Sequence, residues 1–245
     1  MNETVRLAKQ VADQFACSRA QAERYIECGW VSVDGRVVEQ PGERVQPGQV
    51  VALSGEATTA DIPPATFLLN KPEGMTTRMD DGVIDAYIAL LVAANQVAHG
   101  PEGAAAIRRV HFKRLELVTP LETGASGLVV LTQDFRIKRK LVTDASEIEH
   151  EYVVSVTGEA ATDREVVKQL ARSATGDKNA QAKVSWQSEG QLRFALKTPE
   201  KGDIAERCEA AGLTVTGMRR LRIGRLPLAG LAPGQWRYLA GFERF

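Results

Sequence analysis

Cysteine is scarce in this chain: Cys17, Cys28 and Cys208 are the only three in 245 residues. They lie far apart, with no Cys-x-x-Cys pair and no nearby histidine. That excludes a disulfide framework and a zinc site of the usual spacing, and reads as buried thiols in a reducing compartment. Histidine is as scarce. His99, His111 and His150 are scattered without ligand spacing, which fits surface or structural roles and no metal. The longest apolar run, Tyr87 to Ala94, is far too short to span a bilayer. No basic-then-apolar segment opens the chain, so a soluble, cytoplasmic protein without a membrane partner is expected. No Walker or dinucleotide-type glycine pattern appears either. Net charge is missing as well: 31 Lys and Arg balance 31 Asp and Glu. A neutral total argues at first sight against nucleic acid, because phosphate binding needs a positive footprint.

What is present is ordinary. With 44% hydrophobic and 25% charged residues, the chain is neither disordered nor fibrous. Its length suffices for a small module plus a catalytic-sized domain. The neutral total also hides a partition. Residues 1–53 carry a net −1, 54–107 a net −5, 108–140 a net +5, 141–216 a net −4 and 217–245 a net +5. Two blocks are therefore distinctly basic.

The stretch 54–65 is small, polar and proline-containing, without apolar periodicity, and reads as a linker. Before it, Val5 to Phe15 is amphipathic, and Ser18 caps a second helix from Arg19 to Cys28 that ends at Gly29. Val31 to Val33 and Arg36 to Val38 alternate around Asp34-Gly35, a hairpin signal. Pro47-Gly48 makes another turn before a strand from Val50 to Leu53. After the linker, a strand is expected over Thr66–Asn70 and a helix over Ile84–Ala98, with a loop at 100–103. Gly127–Leu131 reads as a buried strand, and Arg136–Leu141 opens a basic helix. Further strands are predicted at Glu151–Val156, Ala182–Trp186, Leu192–Leu196, Leu213–Val215 and Leu221–Ile223, with a helix at Ala205–Ala211. Strands mix with helices without strict alternation, so the fold class is α+β with a mixed sheet.

Residues 1–53 resemble an S4 (αL-type) RNA-binding domain. The resemblance rests on Arg6-Leu-Ala-Lys9, Cys17-Ser-Arg-Ala-Gln-Ala22, Ile26-Glu-Cys-Gly29, Val31-Ser-Val-Asp-Gly35 and Val45-Gln-Pro-Gly48. It implies that the helix pair presents Arg6, Lys9, Arg19 and Arg24 to backbone phosphates. Glu23 and Glu27 on the second helix weaken that field.

Residues 66–245 resemble the catalytic domain of bacterial RNA pseudouridine synthases of the RsuA/RluB/RluE/RluF branch, in which an S4 domain comes first. Leu69-Asn-Lys-Pro-Glu-Gly-Met-Thr-Thr77 is similar to the family's opening strand and turn, and Ser126 to Asp134 to the stretch after its catalytic loop. His150-Glu-Tyr-Val-Val-Ser-Val156 is similar to its Lys-Glu-Tyr strand. Arg220-Leu-Arg-Ile-Gly224 and Leu231 to Leu239 are similar to its closing segment. The resemblance implies isomerisation of uridine in structured RNA, most plausibly ribosomal, by a monomer that needs no cofactor and no metal. In that chemistry the uridine is flipped into a cleft. A carboxylate then attacks the nucleotide, and the base detaches, rotates and reattaches through carbon. A tyrosine packs on the base, and a cation keeps the carboxylate ionised.

The catalytic loop departs from the family pattern of Arg-Leu-Asp, two residues, Thr or Ser, one residue, then Gly-Leu. Aligned on Gly127-Leu128, Pro120 stands for the arginine, Glu122 for the aspartate and Ala125 for the hydroxyl. Glutamate displaces the carboxylate by about 1 Å or more, a misplacement that can cost about 100-fold. A second register, Arg114-Leu115-Glu116, needs extra residues before Ser126 and is the weaker fit. Upstream of Cys208 the family's Asn-Arg-Gln-Ile-Arg-Arg-Met becomes Gly202-Asp-Ile-Ala-Glu-Arg207 after Lys201, which loses two arginines. The expected catalytic set is therefore Glu122, Tyr152 for stacking and Lys201 as the charge partner. Lys71, Arg114, Arg136, Lys138, Arg220 and Arg222 are expected to contact RNA, with Arg108, Arg109, Lys113, Arg139 and Lys140 on the same rims. Asp80-Asp81 reads as a solvated turn. Two functions stay open: a working uridine isomerase, and a relative without turnover that acts as an RNA-binding or ribosome-assembly factor.

Overall fold

The computed structural model describes residues 4–55, 57–58, 62–76, 83–100, 107–158, 164–172, 181–197 and 199–245. Thr77, the Asp80-Asp81 turn, most of the 100–103 loop and part of the 54–65 linker lie outside these residues. The chain divides into two units, Met1–Pro64 with Ala106–Arg114, and Ala65–Ala105 with Leu115–Phe245. Arg108, Arg109, Lys113 and Arg114 thus belong to the N-terminal unit, which a linear reading of the chain does not reveal.

The N-terminal unit contains β1 (Val5–Arg6), α1 (Leu7–Gln14), α2 (Arg19–Glu27), β2 (Val31–Val33), β3 (Arg36–Val37), β4 (Arg44–Val45) and β5 (Val51–Leu53). The helix expected from Val5 starts two residues later, because Val5 and Arg6 pair with Val45 and Arg44 in a two-stranded ladder. A capping box opens α2: Gln21 N donates to Ser18 Oγ and Ser18 N to Gln21 Oε1. The Asp34-Gly35 turn has φ of +51° and +80°, the left-handed pair that a two-residue hairpin demands. The Asp34 carboxylate accepts from Val50 N and Gln49 Nε2 and locks β5 beside the hairpin. Leu7, Val11, Ile26, Trp30 and Val31 form the core, and Val110 from the returning segment packs on it.

The second unit contains β6 (Thr66–Lys71), α3 (Val83–Ile88), β7 (Glu116–Leu117), β8 (Ala125–Thr132), α4 (Phe135–Lys138), β9 (Glu149–Thr157), α5 (Arg164–Ala171), β10 (Lys183–Ser188), β11 (Gln191–Lys197), α6 (Asp203–Ala210), β12 (Thr214–Ile223), β13 (Leu226–Pro227) and β14 (Trp236–Tyr238). The strands run in the order β10-β11-β9-β12-β8-β6-β14, with β13 on β12 and β7 on β8. The β12–β8 pair is parallel and the other pairs are antiparallel. This mixed sheet agrees with an α+β assignment.

Two expected elements differ. The helix predicted over Ile84–Ala98 stops at Ile88, and a short 3₁₀ turn follows at Ala93–Asn95. Trp236 is the cause: its indole Nε1 donates to Val92 O, and Val97 N donates to Trp236 O. Backbone groups that a helix would use internally are thereby committed to β14. The two short strands predicted at Leu213–Val215 and Leu221–Ile223 are one strand, β12. Gly217, Arg219, Arg220 and Arg222 hide its alternation, and two bulges break its register with β9.

Candidate active site

The loop from Thr119 to Gly124 joins β7 to β8 and is short of side chains that could order it. Its carbonyls are held instead by two buried cations. Lys71, fully buried at the end of β6, donates from Nζ to Ala125 O at 2.6 Å, Thr123 O at 3.2 Å and Pro72 O at 3.1 Å. Arg220, 2% exposed on β12, donates from Nε to Leu128 O, from Nη2 to Thr119 O and from Nη1 to Pro120 O. A buried cation persists only when its donors are satisfied, and here the satisfaction comes from the loop. Burial pulls the Lys71 ammonium down to about 8, while Glu122 and Glu73 favour its charged form and Arg220 opposes it. Gly127 lets β8 approach β12 closely: at its φ of +111°, a Cβ would lie 2.3 Å from Arg220 O.

Glu122 emerges from this loop half-buried, and Gly202 N donates to its Oε1 at 2.9 Å. Gly202 is the left-handed N-cap of α6, so the carboxylate meets the partly positive start of a helix. Asp203 could compete for that position, but its carboxylate accepts from Arg207 Nε at 2.7 Å and Nη2 at 3.2 Å. Glu122 also lines a cleft of about 570 Å³ with Tyr152, His150, Lys201, Glu206 and Arg220. Tyr152 is 3% exposed, and its hydroxyl lies 3.4 Å from Arg220 Nη1. Burial raises the phenol's pKa and Arg220 opposes the shift, so the ring enters the cleft as a neutral aromatic surface. His150 stands two residues before Tyr152 on β9 and is also buried. Burial first, and the Arg220 and Arg222 charges second, lower it to about 3. Its Nδ1 has no partner among the described residues. A carboxylate held by a backbone amide beside an aromatic ring is equipped for nucleophilic attack on carbon.

The expected residues separate into three groups. Glu122, Tyr152 and Lys201 line the same cleft, with Lys201 exposed. Glu116, the other register, sits outside it on β7, where Lys138 Nζ lies 2.5 Å from its carboxylate. Three of the expected RNA contacts are engaged within the fold. Lys71 is buried beneath the loop, Arg220 is nearly buried in the cleft wall, and Arg222 bridges Glu149 and Glu151 at 2.8 Å each and also donates to Gly224 O. Each of these cations is spent on its own fold. Arg6, Lys9 and Arg114 are exposed, as is Arg19, which lies 3.8 Å from Glu23, while Arg24 is half-buried. Arg136 is exposed beside Asp134. In the returning segment, Arg108 lies over the Trp30 ring and Lys113 pairs with Glu27.

The histidines and cysteines also differ in part from expectation. His150 is a cleft residue, and Cys17 is half-buried while Cys28 and Cys208 are buried. The clamping role of Arg220 was missed. Its signal was the period-2 relation to Met218, which places both on one face of a strand. Among the described residues no cluster of His, Cys, Asp or Glu could hold a metal ion. None of their helices is long and apolar enough to cross a membrane.

Comparison with known proteins covers both units. Residues 5–51 match the S4 domain, and residues 65–209 match the RNA pseudouridylate synthase family. The chain is 27% identical over 252 residues to the dual-specificity RNA pseudouridine synthase RluF of Escherichia coli K12, covering 99% of this chain and 78% of that protein. It is 26% identical over 242 residues to ribosomal small subunit pseudouridine synthase A of Salmonella typhimurium, covering 98% of each. Among solved structures, a crystal structure of a pseudouridylate synthase shares the fold, with a TM-score of 0.56, 20% identity and 96% coverage of both chains.

Proposed function

Because the chain belongs to the RNA pseudouridylate synthase family, we propose that it isomerises uridine to pseudouridine in structured ribosomal RNA with Glu122 as the nucleophile. The observation that carries this reading is the Glu122 carboxylate, held by Gly202 N in the same cleft as Tyr152. The carboxylate bonds to the ribose carbon as the bond to the base nitrogen breaks, and the freed base carries off the electron pair. The base turns and its C5 displaces the carboxylate, and the C5 proton is lost as the base nitrogen regains one. Tyr152 packs on the base during this turn. The start of α6 supports the carboxylate's charge where the family uses a basic side chain, and Lys201 supplies the exposed cation at the cleft mouth.

In this reading residues 1–53 hold RNA through Arg6, Lys9, Arg19 and Arg24, 54–65 form the linker, and 66–245 form the catalytic domain apart from 106–114, which belong to the first unit. Arg114, Arg136 and Lys138 contact the RNA rim. The protein works in the cytoplasm as a monomer, without cofactor or metal. Deleting the gene in its host and mapping pseudouridines in ribosomal RNA tests the assignment. The expected result is a missing site that the wild-type gene restores and Glu122→Gln does not. A complete set of modifications in the deletion strain would overturn it and favour an RNA-binding factor without turnover.

A further inference from the structure

The segment after β8 has a feature that the cleft chemistry does not use. Phe135, the first residue of α4, is 72% exposed, and Val142 is 55% exposed. Four cations stand between them, at Arg136, Lys138, Arg139 and Lys140. The α-helical turn widens at Arg139–Thr143 into a π turn, closed by Asp144 N donating to Arg139 O at 3.0 Å. Such wide turns are frequent at functional sites. The far end of the segment lines the cleft through Leu141, Val142 and Ala145, about 10 Å along the helix axis from Phe135.

We propose that Phe135, with Arg136, Arg139 and Lys140, forms a stacking subsite for a base of the RNA strand that flanks the nucleotide in the cleft. The inference rests on the uridine-isomerising reading and deepens it. An exposed aromatic among cations is the combination that single-stranded nucleic acid requires, a ring for the base and positive charge for the backbone. The cations are available for exchange. Arg136 lies 3.4 Å from Asp134 with 86% of its side chain exposed, and Arg139 lies 3.7 Å from Asp144 with 64% exposed. Solvated pairs of this kind are weak, so a phosphate can take the place of the carboxylate at little cost. One phenylalanine and one valine are too little apolar area for a stable protein interface, and the interleaved charge favours a polyanion.

The test uses the full chain and a fluorescent twelve-residue oligouridine, with a second oligomer carrying 4-thiouridine for photo-crosslinking. Phe135→Ala is expected to weaken binding about tenfold, Phe135→Trp to keep it, and Phe135→Leu to lose it, because leucine has no π face. Arg136→Gln, Arg139→Gln and Lys140→Gln together are expected to lower the salt slope of log affinity by about 2. Crosslinks are expected at the peptide containing Phe135. Equal affinity of wild type and Phe135→Ala, a Leu variant that binds like wild type, or crosslinks confined to other peptides would each overturn the subsite. So would a wild-type chain that does not bind oligouridine. Thermal unfolding unchanged in Phe135→Ala excludes misfolding as the cause of lost binding. The two readings fail separately: loss of affinity in Phe135→Ala with no isomerisation by wild type leaves the subsite standing, and isomerisation with unaltered affinity leaves only the enzyme.

Discussion

At the residue scale, the molecule uses charged side chains where hydrophobic ones would be expected. Lys71 and Arg220 are buried in the sheet, and both are directed at backbone carbonyls. Their location explains why counting cations is a poor guide to RNA contact here. His150 carries the clearest pH consequence. Its folded pKa, about 3, lies below the ordinary value of 6.5. Between those values the unfolded chain binds a proton that the folded chain does not, so stability falls as pH drops from 6.5 toward 3. In the window from pH 6.5 to 5 the carboxylates stay ionised and do not mask this effect. His150→Leu is expected to flatten the loss there by about 1 kcal/mol per pH unit, read by denaturant unfolding at each pH. An unchanged slope would show that the imidazole is not held neutral.

At the scale of elements, the site depends on how closely β8 and β12 approach. Gly127 faces the Arg220 backbone at a distance no Cβ could occupy, and its φ lies in the left-handed region. Gly127→Ala is therefore expected to destabilise the protein by about 3 kcal/mol or more, combining backbone strain with a steric clash. The same change should lower isomerisation, because the strand that carries Arg220 would move from beneath the Glu122 loop. A melting temperature within a degree of wild type would contradict this account. Helix α6 is the second such element. Its start receives the Glu122 carboxylate because Arg207 holds Asp203 aside and anchors on Leu170 O and Arg172 O. The helix N-terminus, and not an arginine, therefore meets the Glu122 carboxylate.

For the whole molecule, a zero net charge coexists with an RNA-binding fold because many cations are internally neutralised. Arg222, Arg207 and Arg237 each pair with carboxylates, and Arg220 is saturated by carbonyls and Tyr152. Other cations stay exposed and able to displace counterions from RNA, among them Arg6, Lys9, Arg19, Arg114, Arg136, Arg139 and Lys140. The logarithm of affinity is expected to fall with the logarithm of salt at a slope of about −6, since nine cations are proposed to contact RNA and each phosphate contact on a single strand contributes about 0.7. Titration of a uridine-containing RNA at several salt concentrations measures it, and a slope of about −2 or shallower would refute it.

Much of the architecture was legible in the chain. Local chemistry marked the Ser18 cap, the Asp34-Gly35 turn and the apolar run of β8, and the spaced motifs led to the S4 domain and the pseudouridine synthase family. Glu122 and Tyr152, each singled out by a motif of fixed spacing, line one cleft in the structure. The termination of α3, the continuity of β12 and the return of Ala106–Arg114 to the first unit were not legible, because partners distant in sequence decide them. The roles of Lys71, His150 and Arg220 belong to that second class. A charge in sequence is the same letter whether it meets water or a ring of carbonyls. Only the packing of β6, β9 and β12 against the Glu122 loop decides which cations are free for RNA and which hold the site together.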